Sequence, residues 1–344
     1  MVEAQCRELL LQKDYLSGEP IETIYFGGGT PSLLSRKELE CLLNSIPLNY
    51  AVNAKEITLE SNPDDLTIEN LLLLKESGIN RLSIGVQSFD DHILKFLNRI
   101  HSSADVISGI EKSRKVGFTN LSIDLIYAIP GQDNNAWRKI IESAIALSPE
   151  HISAYSLTIE EKTVFGNWQR QGKLLVEKDE VAATQMEMLA DLLDRAGYNH
   201  YEISNFCKPG FHSKHNSGYW QQKKYLGIGP SAHSYNGISR QYNSRNNPLY
   251  TKSIEQGKVP FELEELSRAN KINEYLMTTL RTSWGCDIYY LINKLDYDLL
   301  KEKAQSLDVL FVNELVEKKD HFLFLTRKGK LLADKIASDL FTDD

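Results

Sequence analysis

The sequence predicts an α/β protein, built from βαβ units with parallel strands and followed by a smaller, mainly helical domain. Short β-prone runs alternate with longer helical patterns in the first half, and the strands recur about every 25 to 40 residues. After Thr158 this rhythm stops, and from about Leu266 the chain is helical and charged. We therefore expect a parallel sheet first and a separate helical region after it.

Hydrophobic periodicity places the elements in order along the chain. Five strands are predicted: Ile24–Phe26, Glu56–Glu60, Arg81–Val86, Leu121–Ile126 and His151–Leu157. Helices are predicted at Arg36–Ser45, Ile68–Glu76, Asp105–Val116, Asn135–Leu147 and Asp179–Ala196, the last followed by Gly197 as a stop residue. Near the C-terminus we expect a short strand over His321–Thr326 and a final helix over Gly329–Leu340.

The chain begins with a helical pattern that no predicted strand precedes. Val2, Cys6 and Leu9 share helical spacing. The βαβ rhythm calls for a strand before such a helix, so the fold is expected to lack its first strand. Two explanations are open at this point: a sequence that starts late, or a natural loss.

Composition excludes several classes of protein. The 344 residues include 39 Lys+Arg against 47 Asp+Glu, a formal net charge of −8, with 42% hydrophobic residues. These values are typical of a globular protein of about two domains, and the acidic balance argues against a nucleic-acid surface. No apolar run approaches the ~20 residues of a membrane span, so no integral membrane segment is expected.

Cysteine usage predicts a reducing, cytoplasmic location. The four cysteines stand far apart, at Cys6, Cys41, Cys207 and Cys286. No C-x-x-C or similar local pair is present, so the sequence predicts no metal ligands.

Turn and polar residues follow four of the predicted strands. They form the runs Gly27–Pro31, Ser61–Pro63, Gln87–Ser88 and Ala128–Gly131. Because ligands of parallel α/β folds bind at the carboxyl ends of the strands, these loops are expected to line one site. A structural turn explains any single one of them better, but four such loops together favour a site.

Several of these residues have the chemistry of a ligand site. Gly27–Gly29 leaves backbone N–H groups free for a carboxylate or phosphate, although no Lys-Ser/Thr follows as in a phosphate-binding P-loop. Glu60, Gln87 and Asp124 occupy comparable strand positions, where a carboxylate can accept hydrogen bonds from ribose hydroxyls or an ammonium group. Arg99 is placed to bind a ligand carboxylate. The structural alternatives are a tight turn at Gly27–Gly29, a capping or buried hydrogen bond at Asp124, and a solvent-exposed Arg99.

A segment rich in histidine and aromatic residues, His212–Trp220, precedes the glycine-rich run Tyr225–Ser234. Neutral imidazole binds zinc or haem iron, and aromatic rings pack against a flat macrocycle. The alternative is an aromatic core under a glycine-rich loop, with the histidines hydrogen-bonded to backbone. Neither a nucleophile elbow nor a zinc-protease motif is present, and no catalytic residue is predicted.

These motifs together resemble those of the radical S-adenosylmethionine (SAM) enzymes of the HemN/HemW group. The resemblance is carried, in order along nearly the whole chain, by Glu22–Ser32, Glu60–Pro63, Asn80–Phe89, Asn98–His101, Ile123–Gln132, Glu202–Phe206, Gly227–Ser234, Tyr275–Gly285 and Leu325–Gly329. It implies an incomplete (β/α)6 barrel that holds SAM and a [4Fe-4S] cluster at the strand ends. The implied domains are a partial barrel core (1–160, without first strand and cluster loop), a barrel extension (161–260) and a C-terminal helical, winged domain (261–344).

The resemblance also assigns site residues. SAM contacts are implied for Gly28, Gly29, Thr30, Glu60, Gln87, Arg99 and Asp124. The run His215–Trp220 matches the H-N-x-x-Y-W pattern of the haem chaperones in this group. Haem contacts are implied for His215, Asn216, Tyr219 and Trp220, with His215 as the leading candidate.

The resemblance favours a HemW-type haem chaperone, which binds haem and SAM, receives electrons from a donor protein and delivers haem to acceptor proteins. The alternative is an oxygen-independent coproporphyrinogen III oxidase, which forms protoporphyrinogen IX in porphyrin biosynthesis. A third is a degenerate barrel that retains only ligand binding.

The family's cluster motif, C-x3-C-x2-C, is absent from these 344 residues. The chain as given is therefore expected to hold no cluster and to perform no radical chemistry, and an N-terminal truncation explains both missing features.

Overall fold

The computed structural model describes residues 1–343. Its strands are β1 Ile21–Phe26, β2 Val52–Ser61, β3 Arg81–Gln87, β4 Leu121–Tyr127, β5 His151–Ser156, β6 Asn199–Glu202, β7 Asn205–Cys207, β8 His233–Tyr235, β9 Ser239–Asn243, β10 Phe261–Glu265, β11 Cys286–Asp287, β12 Val316–Lys319 and β13 Phe322–Leu325. Its helices are α1 Val2–Leu11, α2 Arg36–Asn49, α3 Ile68–Glu76, α4 Asp91–Phe96, α5 Ser103–Val116, α6 Asn134–Leu147, α7 Val164–Arg170, α8 Asp179–Arg195, α9 Lys214–Trp220, α10 Asn247–Glu255, α11 Arg268–Leu280, α12 Ile288–Leu295, α13 Leu299–Glu302, α14 Ala304–Val312, α15 Arg327–Lys330 and α16 Ala333–Asp339.

The main sheet has seven strands in the order β1-β2-β3-β4-β5-β7-β6. Strands β2 to β5 pair in parallel, and β7 pairs antiparallel with β5. The α/β fold and its five leading strands are therefore confirmed, and the curled sheet is that of an incomplete barrel. The second strand begins earlier than predicted, at Val52, because residues 52 to 55 are largely exposed and so carry no hydrophobic pattern.

The described chain divides into two compact units, and the division passes through β1 and β2. Unit 1 comprises Met1–Ile24, Leu34–Glu56 and Lys214–Asp344, and unit 2 comprises Tyr25–Leu33 and Ile57–Ser213. The threefold division inferred from the sequence stays a prediction.

The core of unit 2 forms where β3 and β4 meet their crossover helices. Their apolar side chains are fully buried: Leu82, Ile84, Val86, Leu121, Ile123 and Leu125. On the helices, Leu71, Val106 and Trp137 are fully buried as well. Such two-sided burial is typical of parallel strands covered by helices. Helix α5 begins with a capping box at Ser102 and ends at Gly117, which has φ +97°.

In unit 1, helix α1 packs against α2 through a cluster that contains Leu9, Leu16, Ile46 and Tyr50. The C-terminal part of the unit holds the small antiparallel sheet β11-β13-β12 beside α11 and α16. None of the helices in residues 1–343 is long and apolar enough to cross a membrane.

The prediction of one final helix over residues 329–340 is wrong, because the structure has two short helices, α15 and α16. A Cβ at Gly329 would lie 1.9 Å from the carbonyl oxygen of Leu315. This glycine therefore lies inside α15 at a close backbone approach, instead of marking the start of a helix. The predicted strand is present as the shorter β13.

Candidate functional site

The loop after β1 is held by the carboxylate of Glu60, at the end of β2. The Gly28 N–H donates to Glu60 Oε2 at 3.0 Å, and the Tyr25 hydroxyl donates to Glu60 Oε1 at 2.7 Å. A Cβ at Gly27 would lie 2.9 Å from Glu60 Oε1 and 2.6 Å from the Tyr25 ring, so this approach requires glycine. Two strand ends that the sequence predicted to share a site are thus joined by hydrogen bonds.

The next two glycines of this loop are open to solvent. Gly28 and Gly29 have φ values of +76° and +65°, and nothing lies within 4 Å of where their Cβ atoms would be. Left-handed backbone favours glycine, and the open space leaves room for a ligand against the main chain. Thr30 follows directly and is partly exposed.

Tyr25 is a site residue that the sequence reasoning missed. Burial and the adjacent Glu60 carboxylate raise the pKa of the Tyr25 hydroxyl, so it stays protonated and remains a hydrogen-bond donor. Tyr25 lies two residues before Gly27, the residue that follows β1, so both lie on one face of an extended chain, a period-2 signal that was available from the sequence.

Backbone strain marks the carboxyl ends of β3 and β4. Gln87 has φ +67°, at a register shift between β3 and β4, and Ala128 has φ +55° immediately after β4. Left-handed backbone is uncommon for residues other than glycine and clusters at functional sites. The fully buried Gln185 supports the second loop, because its Oε1 accepts from Ala128 N at 2.8 Å and its Nε2 donates to Gln132 O at 3.0 Å.

Asp124 lies on β4, and burial raises the pKa of its carboxyl to about 6. A hydrogen bond from Ser153, on β5, and the charges of Arg81 and Arg99 oppose this rise, while the Glu60 charge adds to it. Strands β2 and β3 bring Glu60 and Arg81 near Asp124, and the loop after α4 brings Arg99. Arg81 is 2% exposed, and its Nε–H has no hydrogen-bond partner.

The histidine-rich segment forms helix α9, whose first turn is held by the buried carboxylate of Glu56. Glu56 accepts from the backbone N–H groups of Lys214 and His215, both at 2.9 Å. The sequence reasoning also missed this residue. Asn216 lies in the same helix and is partly buried.

Both ring nitrogens of His215 have hydrogen-bond partners. Nδ1 lies 3.1 Å from the Thr23 hydroxyl, and Nε2 lies 2.9 Å from the Tyr219 hydroxyl. A neutral ring satisfies both contacts in either tautomer. Protonated at Nδ1 it donates to Thr23 and accepts from Tyr219, and protonated at Nε2 it accepts from Thr23 and donates to Tyr219. Both partners are side-chain hydroxyls, whereas the alternative of an aromatic core would have the histidines hydrogen-bonded to the backbone.

Aromatic rings continue from His215 along unit 1. The Tyr219 ring packs edge-on against His215 and against Tyr225, with centroid separations of 5.0 and 4.7 Å. Tyr219 is 39% exposed. The Arg281 guanidinium lies 5.5 Å from the Trp220 ring, and Trp220 Nε1 is buried without a hydrogen-bond partner. The segment therefore combines an imidazole, an exposed ring and a buried donor.

The cysteines do not form a cluster site. Cys207 and Cys286 are buried singly, whereas Cys6 and Cys41 form a pair. In residues 1–343, no group of three His, Cys, Asp or Glu side chains can hold a metal ion. An iron–sulfur cluster needs thiolate ligands, so the described residues do not fit one. The strand-end residues do fit SAM, because they offer backbone donors, an open glycine surface and carboxylate acceptors.

Comparisons with known proteins agree on one family. A sequence model of the radical SAM superfamily matches residues 3–144. The heme chaperone HemW of Bacillus subtilis (strain 168) is 36% identical over 332 residues, which cover 93% of this chain and 86% of that protein. The heme chaperone HemW of Lactococcus lactis subsp. lactis (strain IL1403) is 36% identical over 344 residues, covering 100% and 90%.

Among solved structures, the chain is similar to the coproporphyrinogen III oxidase HemN from Escherichia coli, a radical SAM enzyme. The TM-score is 0.83, with 23% identity, over 99% of this chain and 82% of that one. At this identity the similarity shows the fold alone.

Proposed function

This chain belongs to the HemW family of the radical SAM superfamily, and we propose that it binds haem through His215 and delivers the haem to acceptor proteins. The observation that carries the proposal is the imidazole of His215, the first residue of the H-N-x-x-Y-W segment. It is hydrogen-bonded to Tyr219 of that segment and to Thr23 of β1. Imidazole is a common protein ligand of haem iron.

The proposal takes Nε2 of His215 as the ligand atom. In the tautomer protonated at Nδ1, Thr23 accepts from Nδ1–H and the lone pair of Nε2 is directed toward the Tyr219 hydroxyl. Haem binding then requires that hydroxyl to turn away from Nε2. Glu56 holds the first turn of α9 in place during this exchange.

SAM is proposed to bind at the strand ends of unit 2. Gly28 and Gly29 provide the open backbone for its methionine part, and Thr30, Gln87 and Arg99 are its further proposed polar contacts. Glu60 and Asp124 are the acceptors for its ammonium and ribose groups. In the superfamily a [4Fe-4S] cluster cleaves bound SAM. The role proposed for the described residues is to bind SAM. An electron donor protein and a cytoplasmic location stay predictions.

A haem titration tests the proposal. Adding haem to the protein is expected to shift the Soret band, and His215→Ala is expected to weaken binding at least about 10-fold through loss of the iron ligand. His233→Ala is the matched control, because His233 also packs edge-on against a tyrosine, Tyr242, at 4.7 Å. Equal haem affinity in His215→Ala and the unmodified chain would contradict the proposal, as would equal losses in the two variants.

Substrate turnover separates this proposal from the oxidase alternative. Because these 344 residues lack the cluster motif, the test uses a longer form that carries C-x3-C-x2-C, with its cluster reconstituted. That form is expected to leave coproporphyrinogen III unchanged when SAM and a chemical reductant are supplied. Formation of protoporphyrinogen IX, followed by chromatography after oxidation to the porphyrins, would overturn the chaperone assignment.

A further inference from the structure

Two cysteines of unit 1 that the candidate sites do not use lie side by side. Cys6 is on α1 and Cys41 is on α2, and their Sγ atoms are 3.1 Å apart although the residues are 35 positions apart in sequence. Both are free thiols; Cys41 is exposed, and Cys6 is partly buried.

The fold holds this pair together from both helices. Leu9 of α1 and Ile46 of α2 belong to one buried cluster, and the Tyr50 hydroxyl donates to the Leu9 carbonyl at 3.0 Å. On α1, the fully buried Glu8 accepts from Gly229 N at 2.8 Å. Because packing and hydrogen bonds fix α1 on both sides, the short separation between the thiols is a property of the fold.

We propose that Cys6 and Cys41 are a peroxide-oxidised modification site, which forms a reversible disulfide between α1 and α2. A disulfide requires the two sulfur atoms to approach by about another 1 Å. The pair would trap the first oxidation product as a disulfide, and so protect Cys41 from irreversible oxidation. This inference does not depend on haem or SAM binding.

The exposed thiol reacts first. The Cys41 thiolate attacks one oxygen of hydrogen peroxide, the O–O bond breaks, and Cys41 becomes a sulfenic acid while hydroxide leaves and takes up a proton. The Cys6 sulfur then attacks the Cys41 sulfur, the S–O bond breaks, and a second water leaves with the Cys6 proton. Two thiols and one peroxide thus give one disulfide and two waters. Burial raises the pKa of Cys6, which fits its role as the second, resolving thiol.

The other two cysteines serve as internal controls. Cys207 and Cys286 are fully buried, and burial raises the pKa of each thiol to about 12. The thiolate is the reactive form, so both are expected to stay reduced under the same treatment.

Peptide mapping of the intact, folded chain tests the proposal. After treatment with hydrogen peroxide and digestion without reductant, mass spectrometry is expected to find one linkage, between the peptides containing Cys6 and Cys41, that dithiothreitol removes. In Cys6→Ser, Cys41 is instead expected to gain two or three oxygen atoms, because no resolving thiol remains. Absence of the linkage, or a Cys41 equally over-oxidised in the unmodified chain and in Cys6→Ser, would overturn the proposal.

Thermal unfolding supplies a second measurement. The disulfide closes a loop of 35 residue steps. It is expected to raise Tm by roughly 5 °C in the oxidised protein, and not in Cys6→Ser or Cys41→Ser treated alike. A lower Tm after oxidation would show that the bond distorts the α1–α2 packing, and would contradict a site that the fold has prepared.

Discussion

The two candidate ligand sites differ in what their polar groups already bind. The strand-end site proposed in unit 2 is defined by Gly28, Gly29, Thr30, Glu60, Gln87, Arg99 and Asp124. It combines open backbone at Gly29 with a carboxylate, Glu60, that already accepts from Gly28 N–H and the Tyr25 hydroxyl. In the imidazole segment of unit 1, residues 215–220, both nitrogens of His215 already have partners. SAM at the first site would therefore meet some open backbone, whereas haem at the second would have to displace the hydrogen bond at the ligating nitrogen.

This difference sets how each site is expected to respond to substitution. At the strand-end site, removing a group is expected to remove affinity, because Glu60 and the Gly28 loop hold each other in position. At the imidazole segment, one partner of His215 supports ligation and the other competes with it. Substitutions there are therefore expected to act in opposite directions.

The largest effect is expected for Glu60→Ala. This change removes both the acceptor that holds the Gly28 loop and a proposed SAM contact. Hydrogen bonds to charged groups contribute about 1.5–3 kcal/mol each, so SAM affinity is expected to fall about 100-fold. Isothermal titration calorimetry measures this, with the exposed Glu69→Ala as the control. Equal SAM affinity in the two variants would contradict the strand-end site.

Asp124→Asn is expected to raise the free energy of unfolding while it removes a proposed SAM acceptor. The pKa of Asp124 is raised from 3.8 to about 6, so the folded state binds this proton more tightly than the unfolded state does. The resulting stabilisation is complete below about pH 4 and is lost as the pH rises through 6.

Asp124→Asn is therefore expected to match the unmodified chain at pH 4 and to exceed its free energy of unfolding by about 3 kcal/mol at pH 8. Urea unfolding at the two pH values measures this. The difference reflects burial, with Ser153, Arg81, Arg99 and Glu60 as the groups that act on the carboxyl. If the variant is instead less stable than the unmodified chain at pH 8, the ionised Asp124 carboxylate has hydrogen-bond or charge partners that offset its burial.

Local patterns predicted most of the fold. Hydrophobic periodicity placed the five leading strands and the bounds of α3, because burial and period reinforce each other there. It failed where residues are exposed, as at the start of β2, and where a glycine serves tertiary packing, as at Gly329.

The partners of the predicted site residues could not be predicted, because register and long-range contacts decide them. Thr23 and His215 are 192 positions apart in sequence, and Glu56 reaches α9 across a similar interval. No pattern within either segment identifies the other. The site assignments themselves came from family resemblance, and they stay predictions until ligands are bound.

Within the imidazole segment, Thr23→Val is expected to weaken haem binding about 10-fold, since it removes the acceptor that fixes the tautomer of His215 while keeping the side-chain shape. The Soret titration measures this. Thr58→Val is the control, because the buried Thr58 hydroxyl has no hydrogen-bond partner. Unchanged affinity in Thr23→Val would contradict a positioning role of Thr23, and a rise would assign the ligating lone pair to Nδ1 instead.

Tyr219→Phe is expected to have the smallest effect, in the opposite direction. It removes the hydroxyl that covers Nε2 at 2.9 Å and retains the ring that packs against His215. Since a neutral hydrogen bond contributes about 1 kcal/mol, haem affinity is expected to rise by about 5-fold. Tyr242→Phe, beside His233, is the matched control and should leave affinity unchanged. A fall in affinity would mean that the Tyr219 hydroxyl contacts the bound haem, so that the imidazole segment, like the strand-end site, uses every polar group it presents.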